Sequence, residues 1–152
     1  MPQQHLLDTF AGHTFVRALS EQHQMILASG AKPFTATPGQ LLAKEGEEAN
    51  KFFLIQSGRV SIGIKKPGTE VVSVHTVGPG EVVGWSWLVP PHRWKFECRV
   101  VQEVKAIAFD GEWLREKCEN DHELGYHLTK ELLAVVSGRL TATRQELLGI
   151  HK

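Results

Sequence analysis

Phe52-Phe53-Leu54-Ile55-Gln56-Ser57-Gly58-Arg59-Val60-Ser61-Ile62-Gly63-Ile64-Lys65 is the stretch that decides the fold. It opens on a short apolar run and passes Ser57-Gly58. Val60, Ile62 and Ile64 then alternate with Ser61, Gly63 and Lys65, which is strand periodicity. Downstream, Lys66-Pro67-Gly68-Thr69 reads as a turn and Val71 to Val77 resumes the β-like pattern. Gly78-Pro79-Gly80-Glu81 turns again into Val82-Val83-Gly84, and a last long strand is expected over Phe96 to Phe109. Gly39, Gly58 and Gly80 sit where strands are expected to reverse, because glycine takes a positive φ at no steric cost. Short strands with turn signals between them, from about Lys32 to Phe109, predict an all-β barrel or sandwich.

Helical zones flank this region. Before it, Ser20 is placed to cap a helix carrying Met25, Ile26 and Leu27, with Gly30 suited to a left-handed stop. After it, Asp110 can cap a short helix through Trp113 and Leu114, and Asn120 with Glu123 has the capping-box pattern that opens a long helix. That helix has two apolar faces. Leu124, Leu128, Leu132 and Val135 form one; Leu133, Val136, Leu140, Thr143, Leu147 and Ile150, spaced alternately by three and four, form the other. The second is a heptad seam, which predicts a homodimer through the C-terminal helix, against the alternative of a helix buried on both sides within one chain.

Composition narrows the function classes. The 152 residues hold 41% hydrophobic and 22% charged residues, with 17 Lys plus Arg against 17 Asp plus Glu, so one soluble domain without net charge is expected. The basic excess that phosphate neutralisation usually requires of a nucleic-acid binder is missing. No apolar run is long enough for a membrane span, and MPQQHLLDTF lacks the pattern of a signal peptide. Cys98 and Cys118 stand far apart, which fits a reducing cytoplasm.

The order short helices, β-roll, short helix, long helix resembles the cyclic-nucleotide-binding domains of the catabolite-activator and kinase-regulatory families. Pro38-Gly39-Gln40-Leu41-Leu42 followed by Glu45-Gly46-Glu47 resembles the family's first hairpin. Phe52 to Val60 is similar to its most recognisable stretch, and Gly78 to Gly84 resembles the approach to its phosphate-binding cassette. The match spans about Phe15 to Ile150. It implies a mainly β fold with flanking helices, a double-stranded β-helix or jelly-roll of the cyclic-nucleotide-binding type with a long C-terminal helix. The single domain over 1–152 then divides into N-terminal helices (1–31), roll (32–109) and C-terminal helices (110–152).

In the family, a cassette glutamate accepts from the ribose 2′-hydroxyl and an arginine pairs with the cyclic phosphate, for which a guanidinium fork is suited. A short helix N-terminus there adds free N–H groups. Here the segment from Val83 reads Gly84-Trp85-Ser86-Trp87-Leu88-Val89-Pro90-Pro91-His92-Arg93-Trp94-Lys95-Phe96. Trp85 falls on the glutamate position. Counting back from the last strand puts Trp94 on the arginine position, and a slip of one residue would substitute Arg93 or Lys95. Ser86 would offer a hydroxyl near the helix N-terminus. Trp85, Trp87 and Trp94 could stack on a flat ligand or fill a pocket that binds nothing. Further along, Arg139 to Arg144 resembles the helix segment that meets the purine, with Thr143 on the position of an adenine-touching threonine, or simply at a polar heptad position.

Rival chemistries are weaker. His122 and His127 are five apart, whereas helical zinc ligands sit four apart. His75 or Cys98 could ligate haem, though nothing singles them out, and two cysteines cannot hold an iron–sulfur cluster alone. No hydrolase elbow or P-loop occurs. The reading is a non-catalytic sensor in signal transduction, taking a nucleotide-like or other small anionic ligand; a cyclic nucleotide or relative is the implied class, and no cofactor or metal is fixed. Direct DNA binding is not expected from a chain ending at Lys152. The alternatives are a ligand-free scaffold or dimerisation module on the same fold, and a truncated transcription regulator of the catabolite-activator type.

Overall fold

The computed structural model of the chain describes residues 10, 13–65, 67, 68 and 70–149. Among the described residues, two helices, α1 (Thr14–Arg17) and α2 (Glu21–Gly30), precede six strands: β1 (Lys32–Ala36), β2 (Leu41–Ala43), β3 (Lys51–Lys65), β4 (Val71–Val77), β5 (Val82–Val83) and β6 (Glu97–Asp110). Helices α3 (Gly111–Asn120) and α4 (His122–Leu147) follow. All pairing is antiparallel, in the order β1-β6-β3-β4, with β2 also on β6 and β5 on β3. The fold is the expected mainly β roll with flanking helices.

The two long strands explain how the roll meets the helices. Along residues 52–55 every side chain is buried, because both faces of β3 are covered. Phe52 and Leu54 join Ile107, Phe109, Val82 and Trp87 in a core shared with Phe15, Leu27, Leu114, Leu124 and Leu128 of the helices. Phe53 and Ile55 point the other way, into the roll interior with Ala106, Ala108, Val83, Cys98 and Trp94. Strand alternation thus distributes one apolar run over two cores.

Several expectations are corrected. Gly58 marks no reversal: β3 continues through it, and the ladder to β6 shifts register between Ile55 and Val60. It is a bulge, with φ of +96° and the Glu103 carbonyl of β6 packed against the place a Cβ would fill. The segment around Pro38-Gly39 is no paired hairpin, since β1 and β2 each pair with β6 and lie in succession along it. Gly30 is the last residue of α2 and lacks a positive φ; the Trp113 ring packs where its side chain would be. The cap of α4 is Asp121, whose carboxylate accepts from the Leu124 N–H at 3.1 Å, while Asn120 ends α3.

Ser20 caps α2 by accepting from the His23 N–H, and Asp110 caps α3. Pro67 and Gly68 lie in a turn, whereas Lys66, Thr69, the seam residue Ile150 and residues 1–9 of the expected N-terminal helical zone fall outside the described residues. On α4, Leu124, Leu128 and Leu132 are buried and Val135 is half-buried. The seam faces outward, with Leu133, Leu140 and Leu147 exposed by 65, 54 and 82%. No helix among the described residues is long and apolar enough to cross a membrane.

Candidate functional site

The segment between β5 and β6 forms the mouth of the roll. Val83 is buried against Phe53, and Gly84, at φ +101°, lets the Trp94 ring approach to 2.9 Å of where a Cβ would stand. Residues 85–92 carry turns, not the expected short helix; the Leu88 N–H bonds to the Trp85 carbonyl and the His92 N–H to the Val89 carbonyl. Pro90 and Pro91 have no N–H to extend these single turns into a helix. Ser86 is therefore not at a helix N-terminus. It is buried, and its Oγ has no hydrogen-bond partner.

Residues 93 and 94 lie beside the turn at residues 44–49, between His92, at φ +59°, and a bend at residues 95–96. The Gly46 N–H donates to the Trp94 carbonyl, the Trp94 N–H to the Glu47 carbonyl and the Ala49 N–H to the His92 carbonyl, at 2.8–2.9 Å. Trp94 is turned into the roll at 4% exposure, while Arg93 and Lys95 are exposed, Arg93 donating to the Gly46 carbonyl at 3.2 Å. Trp87 is fully buried in the helix-side core, with Arg115 donating to its carbonyl at 2.6 Å. Only Trp85 of the three is half-buried, edge-on to Phe96 at 5.1 Å. On α4, Thr143 is half-buried and Arg144 exposed.

One residue that the sequence reading did not select dominates the mouth. Arg139 of α4 is 9% exposed, donates through Nη2 to the Val82 carbonyl, and holds its guanidinium carbon 5.3 Å from the centre of the Trp85 ring. Its Nη1 has no hydrogen-bond partner. Burial lowers its affinity for its own proton, while the Glu81 carboxylate acts in the opposite direction. A guanidinium stays charged even so, so the mouth contains a positive charge with one face unsatisfied. The signal was present in the spacing: 139 is seven residues past Leu132 and continues the buried stripe of α4, where a charged residue is out of place.

Cys98, fully buried beneath Arg139, has its thiol pKa pushed up to about 12 by that burial and is a neutral thiol. Glu81 precedes the mouth. Its carboxylate is 3.9 Å from His75 Nε2 and its carbonyl accepts from His13 Nε2 at 3.3 Å. Among the described residues no three His, Cys, Asp or Glu side chains form a metal-binding group.

His13 supplies a pH prediction. It is 4% exposed with Nδ1 unpartnered, and burial lowers its pKa below 6.5 despite the bond to Glu81. Below pH 6.5 the unfolded chain takes a proton that the folded chain refuses, so stability falls as pH drops towards the folded pKa. Urea midpoints measured from pH 7.5 to 5.5 should decline, and His13→Gln should flatten the slope, leaving the part due to His75, whose pKa is lowered too. An equally steep decline in His13→Gln would rule out this origin.

A family model for the cyclic nucleotide-binding domain matches residues 33–121. The chain belongs to the cyclic nucleotide-binding domain family. Within it, 121 residues are 26% identical to the CRP-like cAMP-activated global transcriptional regulator of Mycobacterium tuberculosis, covering 80% of this chain and 52% of the regulator. The chain therefore spans about half the length of that relative. Among solved structures, a cyclic nucleotide-binding domain from Methylobacillus flagellatus superimposes with a TM-score of 0.80 at 17% identity, covering 99% of this chain and 84% of that one. A candidate cyclic nucleotide-binding protein from Geobacter metallireducens gives 0.78 at 24% identity, covering 91% and 97%. These likenesses establish the β-roll of the family, and the mouth described above lies within its matched residues apart from Arg139.

Proposed function

We propose that this domain is a non-catalytic, cytoplasmic sensor whose pocket takes a small anion, held by Arg139 rather than by a cassette arginine. The observation that carries this reading is the buried guanidinium with an unpaired Nη1 at the Trp85–Val82 mouth. An uncompensated buried charge is costly, and an anionic ligand supplies the missing partner in a water-poor site. Trp85 stacks beside it; in this reading Val83, Gly84 and Ser86 complete the wall, and Thr143 and Arg144 follow on the same helix. Arg93 and Lys95, outside the roll, contribute field and no direct contact in this arrangement. Native mass spectrometry of the purified domain, beside thermal shifts with cyclic mono- and dinucleotides, tests the reading. An anion that stabilises the wild type but not Arg139→Gln supports it; the absence of any stabilising anion contradicts it.

A second reading, a scaffold without ligand, is favoured by Trp94 and Phe96, which fill the roll interior. Both readings include a homodimer through the exposed leucines of α4. Leu140→Asp should place a carboxylate in that seam and shift sedimentation from dimer to monomer while the fold persists. Unchanged sedimentation of the folded variant would count decisively against this interface.

A further inference from the structure

Trp94 is attached to the domain in an unusual way. Its indole lies in the roll interior with Val83, Phe96 and Cys98, beneath the Trp85–Arg139 contact. Its backbone belongs to a surface segment joined to the turn at residues 44–49 by three backbone hydrogen bonds, with Arg93 and Lys95 on the solvent side. No strand of the sheet pairs with that segment beyond the isolated Glu48–Arg93 bridge. The interior is thus closed by Trp94, with Phe96 beside it, on a segment held to the roll by these few bonds rather than by a strand ladder.

The guanidinium of the mouth makes the closed form incomplete. Arg139 Nη1 is buried and without a partner, beside the half-buried Trp85 ring. A buried charged donor costs more to leave unsatisfied than the neutral ones elsewhere in the core. A pocket that had merely been filled in with apolar side chains would have no use for that group.

We propose that Trp94 is the specificity gate of the pocket: its indole occupies the space a ligand would take, and a ligand enters by displacing residues 92–96. This rests on the reading that the pocket takes an anion at Arg139, and the experiment separates the two. Calorimetry with cyclic AMP as the probe compares the wild type with Trp94→Ala and with Trp94→Leu, which keeps an apolar filler should alanine prevent folding. Either folded variant is expected to bind at least ten times more tightly than the wild type, and adding Arg139→Gln should abolish the gain. A gain that survives Arg139→Gln upholds the gate and overturns the Arg139 anchor. Folded variants that bind no better than the wild type overturn the gate. Amide exchange of the wild type in millimolar cyclic AMP needs no substitution: the Gly46, Ala49 and Trp94 amides should exchange faster with the probe than without it, and unchanged protection again overturns the gate.

Discussion

Arg139→Met is expected to fold at least as stably as the wild type and to lose the response to anions altogether. Two terms decide the sign. The substitution removes a charge-assisted hydrogen bond to the Val82 carbonyl, worth about 1.5–3 kcal/mol. It also removes the cost of holding a 9% exposed guanidinium, with Nη1 unpartnered, out of water, several kcal/mol per ion. Methionine fills similar volume along the same helix and keeps contact with the Trp85 ring. The net change in the free protein is therefore near zero or stabilising, whereas an anchor removed for the sake of packing cannot be replaced by any other described cation in the mouth. Thermal unfolding with and without the anion recovered from the wild type checks both halves. A variant that is strongly destabilised while still responding to the anion would show that Arg139 serves the fold and not the ligand.

Gly58→Ala is expected to lower stability by about 3 kcal/mol or more, since a strained positive φ costs about 1–3 kcal/mol before any clash is counted. The clash is what distinguishes this position. At Gly58 an added Cβ meets the Glu103 carbonyl and the Val104 backbone, both in β6, so relief requires moving the central ladder. Gly39 provides the control: its φ is +92°, nearly the same, and nothing lies within 4 Å of its Cβ position. Gly39→Ala should show the conformational cost alone. Urea unfolding of the two variants in parallel reads the difference, and equal losses would remove the bulge contact as an explanation.

The same glycine illustrates where the sequence stops being readable. Ser57-Gly58 is compatible with a turn or a bulge, and the choice is made by β6, more than forty residues away. The apolar run at 52–55 and the alternation that follows were legible because strand periodicity is local. The separate pairing of β1 and β2 along β6 was not, because colinear strands and a hairpin share the same turn chemistry. Asn120 and Asp121 are adjacent residues of equal capping ability, and only the Leu124 N–H geometry selects Asp121. At the site, Trp85 and Trp94 stand out in the sequence, yet the inward turn of Trp94 and the outward turn of Arg93 depend on pairing with residues 44–49. Arg139 was legible as a charge on a core stripe. Its unpaired Nη1 was not.

Calorimetry of the wild type with cyclic AMP tests the central claim most directly. On the proposed match to the family's cassette, Trp85 stands where a carboxylate would accept from the ribose hydroxyl, and losing one charge-assisted bond of about 1.5–3 kcal/mol weakens binding roughly ten- to hundredfold. Arg93 is turned outward onto the Gly46 carbonyl and cannot restore the phosphate contact in this register. A Kd for cyclic AMP no tighter than roughly tens of micromolar is expected, with no change in Arg93→Ala. Submicromolar binding abolished by Arg93→Ala would show that the register of residues 92–96 slips and that the pocket works through a cassette arginine, contradicting the account.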